Sequence, residues 1–299
     1  MNPLLQQEII NRLKAFESPP RRALSSRFPA FKKPILWMRR SMRTLENKLD
    51  FRIRAHKEKE FFDCVVARHQ SLLRRKLGDS DPRLQEQKVT NLRQAAEKLN
   101  GVVINPGDIF SLWSLIGAPT YKRGFVDGML LSNGRVVEGV GGGLCQLSNF
   151  LFWIFLHAPI QVVERYHHSM DVFPDSGRTL PFGSGATILY NFVDLKLRNV
   201  SDQPLQLKIW LTDKHLKGQI RSRERISEKF HVFEKEHYFI KRGSQYFRYN
   251  QIYREAKVNG ELIHTEKIAH NFAPTLYEVT PEYLEKNEFK VLDYTKYNV

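Results

Sequence analysis

The chain has 299 residues, 41% hydrophobic and 26% charged, a balance that excludes a disordered tail, a collagen-like repeat or a coiled-coil rod. Its two cysteines exclude a disulfide scaffold and a four-cysteine zinc module. A net charge of +15 favours anionic partners, and its placement is uneven: residues 1–60 carry +9, residues 61–213 only +2, residues 214–270 +6 and residues 271–299 −2.

Residues 1–69 read as a basic, largely helical N-terminal segment. Leu4, Leu5, Ile9, Ile10, Leu13 and Phe16 recur at helical spacing, and Pro19-Pro20 ends the run. Glu8, Asn11, Arg12 and Lys14 interrupt this stretch before a secretory apolar region can form. Nothing reaches the roughly 18 apolar residues of a membrane span. The expected location is therefore cytoplasmic, with reduced thiols and at most peripheral contact with a membrane. The stretch Ile35-Leu36-Trp37-Met38-Arg39-Arg40 mixes apolar and basic residues. It reads as a lid helix packed on the main domain, with an anionic lipid surface as the alternative partner. Few aromatic residues accompany the basic ones in residues 1–60, which argues against nucleic-acid binding by base stacking.

Residues 70–225 read as an α+β domain. Cys64, just before it, has apolar neighbours and reads as inert core. The pattern predicts a helix over 83–99, with Asp81-Pro82 starting it and Asn100-Gly101 stopping it. A short strand over 102–104 follows, and then turns and short strands through 109–140. Residues 144–157 have the composition of a buried helix, residues 160–166 of a strand, and residues 186–199 and 204–212 alternate as strands. Phe110, Trp113, Phe125, Phe150, Phe152, Trp153 and Phe155 are the candidate core. Residues 226–299 form a β-rich extension, with Asn259-Gly260 as a hairpin signal. The fold expected is a central mixed or antiparallel sheet with packed helices.

Chemistry concentrates in Gly139-Val-Gly-Gly-Gly-Leu-Cys145-Gln146-Leu-Ser148-Asn149. A glycine run opening onto a helix places Cys145 where unpaired N–H groups and the helix dipole favour a thiolate. The same N–H groups, at Gly142, Gly143 and Cys145, with Gln146, are candidate oxyanion donors. A thiolate nucleophile needs a base, and His167 or His168, on a strand candidate, is the one available; strand alternation lets only one of them face a given site. Helix-borne cysteine followed by strand-borne histidine is the chain order of papain-like and transglutaminase-like enzymes. In those folds an acidic or amide residue orients the imidazole, and Asp171 and Asp194 are the candidates. Two other readings stand beside this one. Cys145 is a small buried core residue, or it joins His167 or His168 and Asp171 as metal ligands, though no C-x-x-C or H-E-x-x-H spacing supports a metal. Arg123, Arg135, Arg165 and Arg178, in the neutral middle of the chain, are surface residues by default and candidates for meeting an anionic ligand.

Several motifs in order resemble the VanW family. They are Gln85-x-x-Lys88-Val-x-Asn91-Leu, Pro106-Gly-Asp-x-Phe110-Ser111-x-Trp113, Gly124-Phe-x-x-Gly128 and Gly141-Gly-Gly-Leu-Cys145-Gln146-Leu-Ser148-Asn149. Glu164-Arg165-x-His167-His168-Ser169, Pro181-Phe-Gly-Ser-Gly-Ala186-Thr187 and Asp194-Leu-x-Leu-x-Asn199 complete the set. The resemblance runs from about residue 70 to 225, and the β-rich extension resembles the full-length, vancomycin-resistance-associated branch. It implies a place in glycopeptide resistance and cell-wall metabolism. Many members carry Asp in a Gly-Arg-Asp-Ala-Thr motif, where this chain has Gly185. The expected function is that of a cysteine-dependent amidase, peptidase or transferase acting on a peptidoglycan-like substrate without a cofactor. The alternative is a non-enzymatic module binding a cell-wall precursor or other anionic ligand through groups such as Arg165, Ser148 and the glycine N–H groups.

Overall fold

The computed structural model of the chain describes residues 3–18, 32–74, 81–132, 135–172, 174–175 and 179–296. Helix α1 (Pro3–Glu17) is followed by α2 (Lys32–Leu49), then β1 (His56–Lys57) and β2 (Cys64–Leu72). Helix α3 spans Pro82–Leu99; Asp81 caps it by accepting the Arg83 N–H at 2.8 Å, and Gly101 (φ +85°) turns the chain out of it. Strands β3 (Val102–Ile104) and β4 (Ile109–Ser111), the short helix α4 (Leu112–Ile116), the hairpin β5 (Asp127–Ser132) and β6 (Arg135–Val140), and helix α5 (Leu144–Phe155) come next. Then follow β7 (Ile160–Glu164), β8 (Lys196–Asn199), β9 (Leu205–Leu211) and β10 (His215–Ser222). Three long strands, β11 (Glu228–Arg242), β12 (Gln245–Val258) and β13 (Glu261–Pro274), precede α6 (Pro281–Lys286) and β14 (Val291–Asp293).

The strands form a five-stranded antiparallel sheet in the order β1-β3-β9-β10-β2, a three-stranded sheet β4-β8-β7, the β5-β6 hairpin and a four-stranded sheet β13-β12-β11-β14. Helix α3 packs on β9 and on the hairpin, and α5 on β2 and β10. One apolar core joins α3, α5 and the five- and three-stranded sheets to Val232 and Ile252 of the C-terminal strands. The β-rich extension therefore shares the interior of the middle domain instead of hanging from it. The fold is α+β with several antiparallel sheets, and α5 with β7 to β10 does not assemble a papain-like central sheet. Among the described residues no helix is long and apolar enough to cross a membrane.

One expectation changes. Only residues 196–199 of the alternating 186–199 stretch become strand, because Asn191 takes a left-handed φ of +55° and the chain doubles back from Leu189 to Val193. Helix α1 forms over the stretch of helical spacing, and its Leu5, Ile9 and Leu13 pack on Ile240, Phe247 and Tyr249 of the C-terminal sheet. The Asn259-Gly260 hairpin forms as expected, with both residues at positive φ. Pro19-Pro20 and Arg178 lie outside the described residues, as does the side chain of Arg135.

Candidate functional site

The glycine run serves backbone packing. Gly141 (φ +77°) and Gly143 (φ +91°) take conformations that side chains resist, and a Cβ on Gly128 would lie 2.7 Å from the Gly142 carbonyl oxygen. Asn91 of α3 clamps this junction. Its amide nitrogen donates to Gly142 O at 2.9 Å and Val126 O at 3.0 Å, and its amide oxygen accepts the Val126 N–H at 2.9 Å. Gly143 rides over the stem of Lys88, whose ammonium donates to Gln85 Oε1 at 2.6 Å. The expected oxyanion donors are thus largely committed. Gly142 N–H bonds Gly139 O at 3.0 Å and Gly143 N–H bonds Met129 O at 2.9 Å. The Gln146 amide donates to Ser71 Oγ at 3.1 Å and Leu72 O at 2.7 Å, tying α5 to the end of β2. Of the helix-start donors proposed from the sequence, the Cys145 N–H is the one without a partner among the described residues.

Cys145 is the second residue of α5, partly buried against the core. Burial pushes its thiol upward, opposed by an N–H of Ile188 that donates to the sulfur. The shift is upward and favours the thiol, the opposite of the direction expected for a cysteine at a helix start. The same face of α5 is stitched to residues 186–188. Ser148 Oγ donates to Ala186 O at 2.5 Å, and Asn149 Oδ1 accepts the Ala186 N–H at 2.8 Å. Asn149 fills the space beside Gly185, where a Cβ would press on its amide.

The histidine segment lies one strand further out. Tyr166 pairs with Thr187, whose N–H donates to Tyr166 O at 2.7 Å. His167 Nδ1 lies 2.8 Å from the His168 carbonyl. A carbonyl only accepts, so Nδ1 carries the proton and the neutral ring keeps its lone pair on Nε2. No hydrogen bond joins Cys145 to either imidazole.

Both acidic candidates have strong partners elsewhere. The buried Asp171 carboxylate accepts from Arg248 at 3.3 Å and from the Tyr277 hydroxyl at 2.8 Å, because a buried carboxylate needs a charge partner and β12 supplies one. Asp194 instead caps α4: it accepts Ser111 Oγ at 2.6 Å and the Trp113 N–H at 3.1 Å, and burial pushes its carboxyl upward. Arg165 is spent on structure too. Its guanidinium bonds Gly183 O, Gly185 O (2.9 Å) and Asn271 Oδ1 (3.4 Å) and lies 5.0 Å over the Phe152 ring. Burial draws its pKa down to about 10. Arg123 likewise turns back onto the carbonyls of Ile116 and Ala118 (2.8 Å). Among the described residues no cluster of His, Cys, Asp and Glu could hold a metal, so the set Cys145, His167 or His168 and Asp171 is not assembled. Cys64 is half-exposed at the start of β2, not enclosed in core.

Sequence reasoning missed Arg248. Its side chain is 1% exposed, pairs with Asp171 and Asp175, donates to His237 Nε2 at 2.9 Å, and is enclosed by the rings of Phe182, Phe239 and Phe289. Beside it opens a cavity of about 520 Å³ lined by Leu180, Phe182, Glu234, His237, Arg248 and Asn287. Burial raises Glu234, but His237 and Asn250 outweigh it and hold the carboxyl below its ordinary range. Nothing local in the sequence marks this cluster, since Arg248 lies 77 and 73 residues from its acidic partners.

Residues 87–221 match the family described as VanW like protein. The vancomycin B-type resistance protein VanW of Enterococcus faecalis is 31% identical over 228 residues, covering 76% of this chain and 80% of that protein. The chain belongs to the VanW family. The uncharacterized protein YoaR of Bacillus subtilis is 30% identical over 118 residues, covering 40% of this chain and 37% of YoaR. No solved structure matches the chain. The family match contains the whole glycine–cysteine–histidine region, from Asn91 through Asp194.

Proposed function

We propose that this VanW-family protein is a cysteine-dependent acyl-transfer enzyme that acts on an amide bond of a peptidoglycan-like peptide, in the setting of glycopeptide resistance. The observation that carries this reading is the environment of Cys145: a cysteine in the first turn of α5, intermediate in exposure as a residue, whose desolvated sulfur receives the Ile188 N–H. The Cys145 N–H supports it as an oxyanion donor. His167, with Nδ1 bonded to a carbonyl, has the tautomer a base requires, with Nε2 free to take a proton.

Because Cys145 rests protonated, deprotonation belongs to the chemical step. As Sγ attacks the amide carbon, its proton passes to Nε2 of the imidazole and the S–C bond forms. Collapse of the tetrahedral intermediate breaks the C–N bond, and the imidazolium returns its proton to the leaving amine. The thioester is then cleaved by water in a hydrolase, or by a second amine in a transferase. No cofactor enters this scheme. The relative's association by name with vancomycin resistance supports a cell-wall substrate. Substrate seating must draw the imidazole to the sulfur, since catalytic hydrogen bonds often form only in the loaded enzyme.

The test is intact-mass analysis of the full chain incubated with a muropeptide. The expected result is an acyl adduct on Cys145 that is lost in Cys145→Ala. Turnover by Cys145→Ala would overturn the reading. A muropeptide bound equally by both proteins, with no adduct in either, would favour the binding-module reading. The observation behind that second reading is the cavity beside Arg248, which falls in the size range of small-molecule sites.

A further inference from the structure

Helix α2 is mounted inside out. Its polar side faces the domain: Arg43 pairs with Glu164, Thr44 Oγ1 accepts from Asn191 at 2.9 Å, and Asn47 Oδ1 accepts from the Lys196 ammonium at 2.7 Å. Arg40 lies 5.4 Å over the Phe192 ring. Ile35, Met38, Met42, Leu45 and Leu49 recur at alternating intervals of three and four, which places them on one side of a helix, away from Arg43 and Asn47. That stripe is turned outward, with Met42 54% and Leu49 71% exposed, and Trp37 and Phe51 beside it are each 72% exposed. A soluble monomer rarely leaves such a contiguous apolar face open to water.

Charge decides what covers it. The helix carries six basic residues and one acidic one, within an N-terminal segment of net +9. The exposed Arg39 and Lys48 flank the apolar stripe on its two sides. Pairing the stripe with that of a second copy would bring two strongly basic helices together, whereas an anionic lipid surface accepts the apolar stripe and neutralises its basic border at once. Exposed Trp37 suits the headgroup level of a bilayer. We propose that α2 seats this protein on an anionic membrane surface, its apolar stripe in the lipid and its polar side holding the VanW domain.

The experiment is vesicle sedimentation of the full chain, with vesicles of pure phosphatidylcholine or of a 7:3 mixture with phosphatidylglycerol. Expected is binding to the anionic vesicles at least tenfold tighter than to the neutral ones, weakened on the order of tenfold by high salt. Met42→Gln/Leu45→Gln, which leaves every docking contact of α2 intact, should reduce binding at least tenfold with an unchanged circular dichroism spectrum. Equal binding to both vesicle types, or none to either, would overturn the proposal. So would a concentration-dependent dimer, seen by analytical ultracentrifugation, that the same double variant dissolves, because the stripe would then be covered by a second copy.

Discussion

Gly128 of β5 and Gly142 at the start of α5 meet backbone to backbone, so closely that a Cβ on Gly128 would sit 2.7 Å from the Gly142 carbonyl oxygen. The obstruction there is backbone, which cannot rotate away. Gly142→Ala is expected to destabilise by about 2–3 kcal/mol, in the manner of other overpacked interiors. Urea unfolding monitored by tryptophan fluorescence measures it. A loss under 0.5 kcal/mol would mean that the hairpin yields freely.

Asn91 holds the same junction through three hydrogen bonds and is fully buried. Asn91→Ala leaves the Val126 N–H and the Gly142 carbonyl without this partner, while Val126 O keeps the Gly141 N–H, and a loss of about 3 kcal/mol is expected. Combined with Gly142→Ala the losses should fall short of their sum, because both variants loosen one contact. A double-mutant cycle in urea reads the coupling, and strict additivity would contradict it.

Cys145 makes a pH prediction. Its folded pKa is raised by burial, so the unfolded chain loses the thiol proton first as pH rises. The stabilising contribution is therefore complete below the ordinary thiol range near ~8.5 and declines as pH climbs through it. Alkylation of the folded protein by iodoacetamide should accelerate only above that range, and Cys145→Ser should flatten the alkaline decline in stability. Half-maximal alkylation below pH ~7.5 would show an activated thiolate instead.

Arg248 neutralises two carboxylates in the interior. Arg248→Met leaves Asp171 and Asp175 without this cation, and a loss of about 3–5 kcal/mol is expected. Adding Asp175→Asn should recover part of it. Thermal melts of the three proteins test the ordering, and an unrecovered loss would assign the effect to the aromatic cage of Phe182, Phe239 and Phe289.

The histidine is the part of the site that the sequence could not position. A run such as 160–166 states which residues are extended but not what the strand lies against, and Tyr166 meets Thr187 only because the chain reverses at Asn191. Asp171 stands four residues from His167 and reads, with Asp194, as one of two candidate orienting acids. In the fold the carboxylate is drawn to Arg248, where burial makes a charge partner worth far more than proximity in the chain.

Local rules were sufficient for α3 with its Asp81 cap, for the Asn259-Gly260 turn, for the apolar identity of α5 and for the family motifs, because each depends on residues within a few positions of one another. Tertiary structure alone decided how burial acts on the helix-start cysteine, which side of α2 faces outward, and where Arg248 finds its counter-charges. Those outcomes turn on desolvation and on partners brought from distant segments, quantities that a linear order of residues does not contain.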